Sequence, residues 1–148
     1  MAELVLTNVS KIYRSRGKAD VHAVRDLSLT VVPGEICALL GSSGCGKTST
    51  LRMIAGFEDV SSGRISLNGR DIHTLPPSQR GVAMAFEAYS LYPPLTIGEN
   101  MSFALKALRL SATEADARVK AMAEMLEISD ILGKYPTSIS GGQQQRVS

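Results

Sequence analysis

Apolar and polar positions alternate with a period of two in three segments of the N-terminal half, which cover residues 4–9, 23–32 and 64–67. A period of two is typical of strands that bury one face, so each segment predicts a half-buried β-strand. Asn68-Gly69, directly after the third segment, is a strong tight-turn signal. The pattern therefore predicts a small antiparallel β region.

Two other segments, residues 36–40 and 82–86, are apolar without interruption. Unbroken apolar runs of this length are typical of parallel strands that are covered on both faces. We therefore expect a parallel core sheet beside the antiparallel region, and an α/β fold.

Four segments of the sequence predict helices. Residues 47–55 carry apolar side chains at helical spacing, and Gly56 is a suitable end for that helix. Three further helix starts have a serine or threonine with Glu or Gln three residues later, which is the capping-box pattern. These pairs are Thr96/Glu99, Ser111/Glu114 and Ser140/Gln143.

The helix after Ser111 has a two-sided pattern. Its predicted core-facing side chains are Ala115, Val119, Met122 and Leu126. On the opposite side, charged residues spaced four apart predict the surface ion pairs Glu114–Arg118 and Asp116–Lys120. We interpret this helix, and the one before it, as packing elements.

Residues 41–48 read Gly-Ser-Ser-Gly-Cys-Gly-Lys-Thr and match the G-x-x-x-x-G-K-S/T pattern at every fixed position. The glycines allow the backbone N–H groups to point inward, and the following helix directs the positive end of its dipole to the same place. This segment, the phosphate loop, predicts a phosphate site in which Lys47 reaches the β- and γ-phosphates and the Thr48 hydroxyl binds Mg²⁺.

The chain of 148 residues has a formal net charge of +2 and no long Lys/Arg run. That balance argues against a nucleic-acid partner. No apolar stretch approaches the roughly 18 residues of a membrane span, so a membrane role requires another subunit. Cys37 and Cys45 fall in the predicted buried strand and the phosphate loop, which favours free thiols over a disulfide.

Residues 139–143 read Ile-Ser-Gly-Gly-Gln, and a capped helix start with two glycines is a potential anion site. With this segment and the phosphate loop in this order, the chain resembles the ATP-binding subunits of ABC transporters, and most of all the bacterial importers of sugars and related solutes. The family's signature has the form L-S-G-G-Q. Residues 91–96 and the Glu99-Asn100 pair are also typical of its importers.

The resemblance covers essentially the whole chain. It implies a P-loop NTPase fold of the ABC ATPase type, with a parallel core sheet and an N-terminal antiparallel β region in about residues 1–86. A helical insert that carries the signature is implied for about residues 87–148.

The resemblance also implies ATP and Mg²⁺ as cofactors. Tyr13 matches the aromatic residue that stacks on adenine, Lys47 and Glu87 match catalytic positions, and Thr48 and Glu87 match metal ligands. The other implied ATP contacts are Gly41, Ser42, Ser43, Gly44, Cys45, Gly46 and Ser49 in the loop, and Ser140, Gly141, Gly142 and Gln143 in the signature.

Implied partners are a second ATP-binding subunit, transmembrane permease subunits and, indirectly, a solute-binding protein. Two ATP-binding domains would close head to tail over two ATP molecules, so that the signature of one contacts the γ-phosphate held by the other. The implied location is the cytoplasmic face of the inner membrane, with attachment through the permease, and the implied function is ATP-driven uptake of a carbohydrate-type solute.

Ile139 replaces the leucine of the signature, and the sequence has two larger departures from the family pattern. Glu87 stands where the family usually has glutamine, which removes an amide donor and adds negative charge beside the metal. The sequence also stops at Ser148, before the family's catalytic glutamate and γ-phosphate-sensing histidine. For these 148 residues alone we therefore expect a C-terminally truncated domain, without ATPase activity and poorly soluble.

Three alternatives remain open from the sequence. A non-hydrolytic ATP-binding fragment fits the presence of binding groups without the catalytic ones. A P-loop small-molecule kinase has no use for residues 140–143, and a soluble ABC protein of DNA repair or translation fits neither the near-neutral charge nor the importer-like segment around Tyr92.

Overall fold

The computed structural model describes residues 3–17, 19–86, 89–108 and 110–148. The chain forms two compact units, Met1–Met84 and Ala85–Ser148. Each unit has its own cluster of buried apolar side chains.

The first unit contains a four-stranded sheet. Its strands are β1 (Leu4–Tyr13), β2 (Val21–Val31), β3 (Ser62–Leu67) and β4 (Arg70–Asp71). The order is β2-β1-β3-β4, and every neighbouring pair is antiparallel. The predicted antiparallel β region is confirmed, and β1 continues four residues beyond the predicted end, as far as Tyr13.

Helix α1 (Lys47–Ala55) packs against this sheet through its buried Met53. It ends at Gly56, whose φ of 89° is in the left-handed region, so the predicted glycine stop is confirmed. Met53 of α1 is fully buried, and it packs with buried apolar side chains of the sheet and of the segment that follows it. The other members of this cluster are Leu6, Val9, Val24, Ile65 and Ile72.

The C-terminal end of α1 is held by Arg80, whose residue surface is only 4% exposed. Its guanidinium donates to the carbonyl oxygens of Met53 at 2.6 Å and Ile54 at 3.3 Å. It also donates to Leu75 at 2.7 Å and His73 at 2.9 Å. Carbonyls in the last turn of a helix lack intrahelical donors, and Arg80 supplies them.

The two expected parallel strands differ from the prediction. Residues 36–40 and 82–86 are not strands in the structure, and Ile36 and Leu40 are 96% and 90% exposed. The prediction that they are buried on both faces is therefore wrong for the described residues. A buried parallel strand needs ladder partners for its backbone and cover for both faces. The described part of the chain pairs neither segment with another strand.

The second unit is helical. It contains α2 (Ile97–Phe103), α3 (Ala112–Met125) and α4 (Gly141–Val147). Three-residue and five-residue 3₁₀ turns connect them at Ala104–Leu108, Ser129–Ile131 and Pro136–Ser138. All three predicted capping boxes are present, with both reciprocal hydrogen bonds in each.

The buried face of α3 is rotated from its predicted position. Val119 and Ala123 are buried, whereas Met122 is 47% exposed. Val119 and Ala123 are four residues apart and therefore lie on one side of the helix, and Met122 projects to a neighbouring side. Small Ala123 packs in the second core with Ile97, Ile128 and Ile131.

Of the two surface ion pairs predicted on α3, the structure brings Asp116 and Lys120 within ion-pair distance but not Glu114 and Arg118. The Nζ of Lys120 lies 2.8 Å from Asp116, as predicted. For Glu114, hydrogen bonds from Ser111 are the main cause of a lowered carboxyl pKa, and the charge of Arg118 contributes less. Among the described residues, no helix is both long enough and apolar enough to cross a membrane.

Candidate nucleotide-binding site

The phosphate loop connects the exposed segment 36–40 to α1 and depends on its glycines. Gly44 and Gly46 have φ values of 81° and 94°, a region that side-chain-bearing residues rarely adopt. A Cβ on Gly46 would lie 2.3 Å from the carbonyl oxygen of Ala23 in β2. A Cβ on Gly44 would meet nothing within 4 Å, so the space beside that backbone is open.

The N-terminus of α1 faces this open space. Gly46 is the N-cap residue, and no side chain caps the helix. The first N–H groups of an α-helix have no intrahelical acceptor, so those of α1 are suited to an anion, which the helix dipole also favours. A cleft of about 270 Å³ lies here. It is lined by Ser43, Gly44, Gly46, Lys47, Thr48 and Ser49.

Lys47 lies back over the loop. Its Nζ donates to the carbonyl oxygens of Gly41 at 2.8 Å and Ser42 at 2.7 Å, and it contacts the Cys45 Sγ at 3.5 Å. The ammonium is therefore beside the cleft with oxygen partners that a phosphate can replace. Charge-assisted hydrogen bonds to phosphate are stronger than those to neutral carbonyls, so the exchange favours a bound phosphate.

Thr48 and Thr50 have different roles. Thr50 is buried, and its hydroxyl donates to the Gly46 carbonyl at 3.0 Å, which fixes the junction between loop and helix. Thr48 is exposed in the first turn of α1, where its hydroxyl can reach a metal bound to phosphate. Glu87, the other predicted metal ligand, lies outside the described residues. Within the described part of the chain, no group of three His, Cys, Asp or Glu side chains could hold a metal by itself.

A hydroxyl and phosphate oxygens fit Mg²⁺, which usually binds few protein ligands together with substrate phosphates. The open, uncapped helix start and the space beside Gly44 fit the phosphates. The described residues are therefore compatible with a magnesium nucleotide whose phosphates supply most of the metal's ligands.

Tyr13 lies at the end of β1 in the same unit as the phosphate loop. Its hydroxyl shares a hydrogen bond of 3.2 Å with the Ser49 hydroxyl in the first turn of α1. The side chain is partly exposed, with a relative exposure of 36%. The structure thus links Tyr13 to the helix that follows the phosphate loop.

The sequence interpretation missed Lys11. Its Nζ lies 4.9 Å from the centre of the Tyr13 ring and 2.9 Å from the Glu58 carboxylate. The signal was present, because residues two apart on a strand share a face, and Lys11 and Tyr13 are two apart on β1. Glu58 could not be found in this way, since its position depends on the turn after α1.

Both cysteines are free and exposed. The prediction of free thiols is confirmed, but Cys37 is not in a buried strand. Cys45 lies close to Gly41, since a Cβ on Gly41 would lie 2.5 Å from the Cys45 Sγ.

The signature segment belongs to the second unit. The Ser140 hydroxyl accepts from the Gln143 N–H at 3.3 Å, and the Gln143 side-chain oxygen accepts from the Ser140 N–H at 3.0 Å. The N–H groups of Gly141 and Gly142 have no intrahelical acceptor, because they lie in the first turn of α4. Gln144 donates to the Pro136 carbonyl at 2.8 Å, which holds the start of α4 on the preceding turn.

A glycine loop with an inward lysine at an uncapped helix start is the arrangement that the phosphate-loop pattern predicts. The family model described as "ABC transporter" matches residues 24–148, and the chain belongs to this family.

The chain is similar to ATP-binding proteins of several importers. It is 46% identical over 147 residues to the spermidine/putrescine import ATP-binding protein PotA of Frankia alni, covering 99% of the chain and 31% of that relative. It is 43% identical over 140 residues to the maltose/maltodextrin import ATP-binding protein MalK of Yersinia pestis, covering 95% and 37%. It is also 43% identical over 148 residues to the lactose transport ATP-binding protein LacK of Rhizobium radiobacter, covering 100% and 39%. The chain thus spans about a third of the length of these relatives.

Solved structures agree on the fold. The dimeric, post-hydrolysis ATP-binding cassette MJ0796, bound to ADP and Pi, matches with a TM-score of 0.86 and 27% identity. The match covers 97% of the chain and 66% of that structure. The predicted fold class, an α/β ATPase of the ABC type, is confirmed.

Proposed function

We propose that the chain binds ATP through its phosphate loop and forms part of the ATP-binding and ATP-hydrolysing subunit of an ABC importer. The observation that carries the proposal is the loop with Gly46 at the uncapped start of α1, beside the Lys47 ammonium. Membership of the ABC transporter family supports it, as do relatives whose names specify import.

The proposed metal is Mg²⁺, bound by the Thr48 hydroxyl, by phosphate oxygens and by Glu87. The role of Glu87 rests on the family resemblance, with a carboxylate in the usual place of an amide. Replacing Glu87 with glutamine is expected to change the magnesium concentration needed for ATP binding more than the affinity for metal-free ATP. An unchanged magnesium titration would remove Glu87 from the metal site.

The proposed partners are a second ATP-binding subunit, permease subunits in the membrane and a solute-binding protein acting through them. The signature of one subunit would contact the γ-phosphate bound to the partner's phosphate loop. The free N–H groups of Gly141 and Gly142 and the dimeric state of the MJ0796 cassette support this arrangement. The proposed place of action is the cytoplasmic face of the membrane.

For the transported solute we propose only a general class, that of small nutrient molecules. Carbohydrate import agrees with the names of MalK and LacK, whereas the name of PotA specifies spermidine and putrescine. Identities of 43–46% to all three do not favour one solute class over the other.

Titration of ATP into the chain by calorimetry tests the proposal. Lys47→Ala removes the cation beside the phosphates, and we expect at least a tenfold lower affinity, about 1.4 kcal/mol. Lys120→Ala is the matched control, because that lysine pairs with Asp116 on the surface of α3, and its affinity should equal that of the wild type. Equal affinity of the wild type and Lys47→Ala would contradict the proposed site.

A further inference from the structure

Lys11 is a mostly buried lysine whose ammonium group lies between two oxygen atoms and an aromatic ring. The residue is 8% exposed. Its Nζ donates to the Asp59 carbonyl oxygen at 2.8 Å and is paired with the Glu58 carboxylate at 2.9 Å. The Nζ also lies over the Tyr13 ring, 4.9 Å from its centre. Two oxygens and one aromatic face therefore surround the ammonium.

The same contacts fix the Tyr13 ring at several points. Lys11 covers one face of the ring, so a stacking partner must approach from the other face. The hydroxyl is tied to Ser49 at 3.2 Å, in the first turn of α1. The Lys11 side of this arrangement also involves Glu58, because the hydrogen bond from Lys11 is the main cause of the lowered pKa of the Glu58 carboxyl. The ring is therefore held at its face and at its hydroxyl end.

We propose that Lys11 is a positioning residue for nucleotide recognition: it holds the Tyr13 ring, from behind, in the orientation in which the open face stacks on the base. This inference rests on the proposed ATP site and deepens it. Lys11 acts through Tyr13 and touches neither base nor phosphate. It strengthens the binding of ligands that carry a base, whereas the phosphate loop binds the phosphates alone.

The Glu58 carboxylate and the Asp59 carbonyl anchor Lys11 to the turn that follows α1. Gly56, Phe57 and Glu58 donate their N–H groups to the Arg52 carbonyl, which fixes that turn on the end of α1. The phosphate loop precedes α1 and the Lys11 anchor follows it. Helix α1 thus connects the phosphate site at its start to the ring support at its end.

The test compares two ligands, ATP and inorganic tripolyphosphate, each with magnesium, by calorimetry on the full chain. Tripolyphosphate has the phosphates without the base. For Lys11→Met, which keeps the length and apolar stem of the side chain, we expect ATP affinity to fall about fivefold, in the range of one cation–π contact and the order it imposes. Tripolyphosphate affinity should change less than twofold. Lys11→Arg, which keeps a cation over the ring, should restore ATP affinity to within twofold of the wild type.

Two further variants make the result specific. Lys11→Met in the Tyr13→Ala background should cause little additional loss of ATP affinity, since Lys11 acts through the ring that Tyr13→Ala removes. Lys106→Met is the matched control, because Lys106 lies 5.2 Å from the centre of the Phe103 ring in the other compact unit. It should leave both affinities unchanged.

The outcomes are distinguishable. Equal losses for ATP and tripolyphosphate in Lys11→Met would overturn the positioning role and indicate general loss of structure. An unchanged ATP affinity would overturn it as well. If the wild type binds tripolyphosphate and ATP equally, stacking on Tyr13 is absent and the inference fails while the phosphate site stands. If it binds neither, the proposed function itself fails.

Discussion

Gly46 shows how one residue determines the geometry of the phosphate loop. It has a left-handed backbone, is the N-cap of α1, and approaches β2 so closely that a side chain has no space. The Ala23 carbonyl and the Val24 Cγ2 would lie 2.3 Å and 2.9 Å from a Cβ. The close approach to β2 fixes the loop relative to the sheet, and with it the direction in which the N–H groups of α1 point.

Gly46→Ala is expected to weaken ATP binding by more than tenfold. The methyl group must displace the Ala23 backbone, and a left-handed alanine costs about 1–2 kcal/mol by itself. Gly133→Ala is a control, since a Cβ there meets nothing within 4 Å and φ is not left-handed. Calorimetric titration with ATP measures both variants. Retained affinity in Gly46→Ala would show that the loop does not need its observed geometry.

At the scale of the elements, signals from residues close together in the sequence predicted helix ends and turns correctly. The long apolar runs did not predict strands correctly. The capping boxes, the Gly56 stop and the Asn68-Gly69 turn depend on residues within four positions of each other, and all formed as predicted. Residues 36–40 and 82–86 were predicted from apolar runs alone. An apolar run indicates that its side chains need to be buried. It does not supply the neighbouring strands with which its backbone would have to pair.

For the candidate site, the phosphate-loop motif correctly predicted the residues of the loop and the start of α1. The motif gave no information on the Lys11–Glu58 pair, because Glu58 reaches β1 only through the turn after α1. Arg80 was missed for the same reason. It is 24 residues beyond Gly56 in the sequence, and no periodicity connects a loop arginine to the end of a helix.

Arg80→Gln is expected to destabilise the first unit by about 3 kcal/mol. The change leaves buried carbonyls in the last turn of α1 without donors, and each unsatisfied buried group costs about 1–3 kcal/mol. Burial lowers the pKa of the guanidinium, and the charge of Asp59 opposes that effect. Arg64→Gln, at an exposed position of β3, is the control and should change the unfolding free energy by less than about 0.5 kcal/mol. Urea unfolding measures both, and equal stabilities would contradict the role of Arg80.

At the scale of the whole molecule, the two units carry different parts of the proposed function. The first contains the phosphate loop, Tyr13 and the residues that position them. The second contains the signature, on a short helix whose start is held by a capping box. In the proposed dimer the signature acts on nucleotide bound to another copy, whereas the phosphate loop and Tyr13 act on the nucleotide of their own chain.

The most direct test of this account is an amide NMR titration of the chain with magnesium ATP. We predict the largest shifts at the amides of residues 43–48, smaller shifts near Tyr13, and none in Ala112–Met125 of α3. Shifts confined to the second unit, or the absence of shifts in the phosphate loop at saturating ATP, would contradict the account.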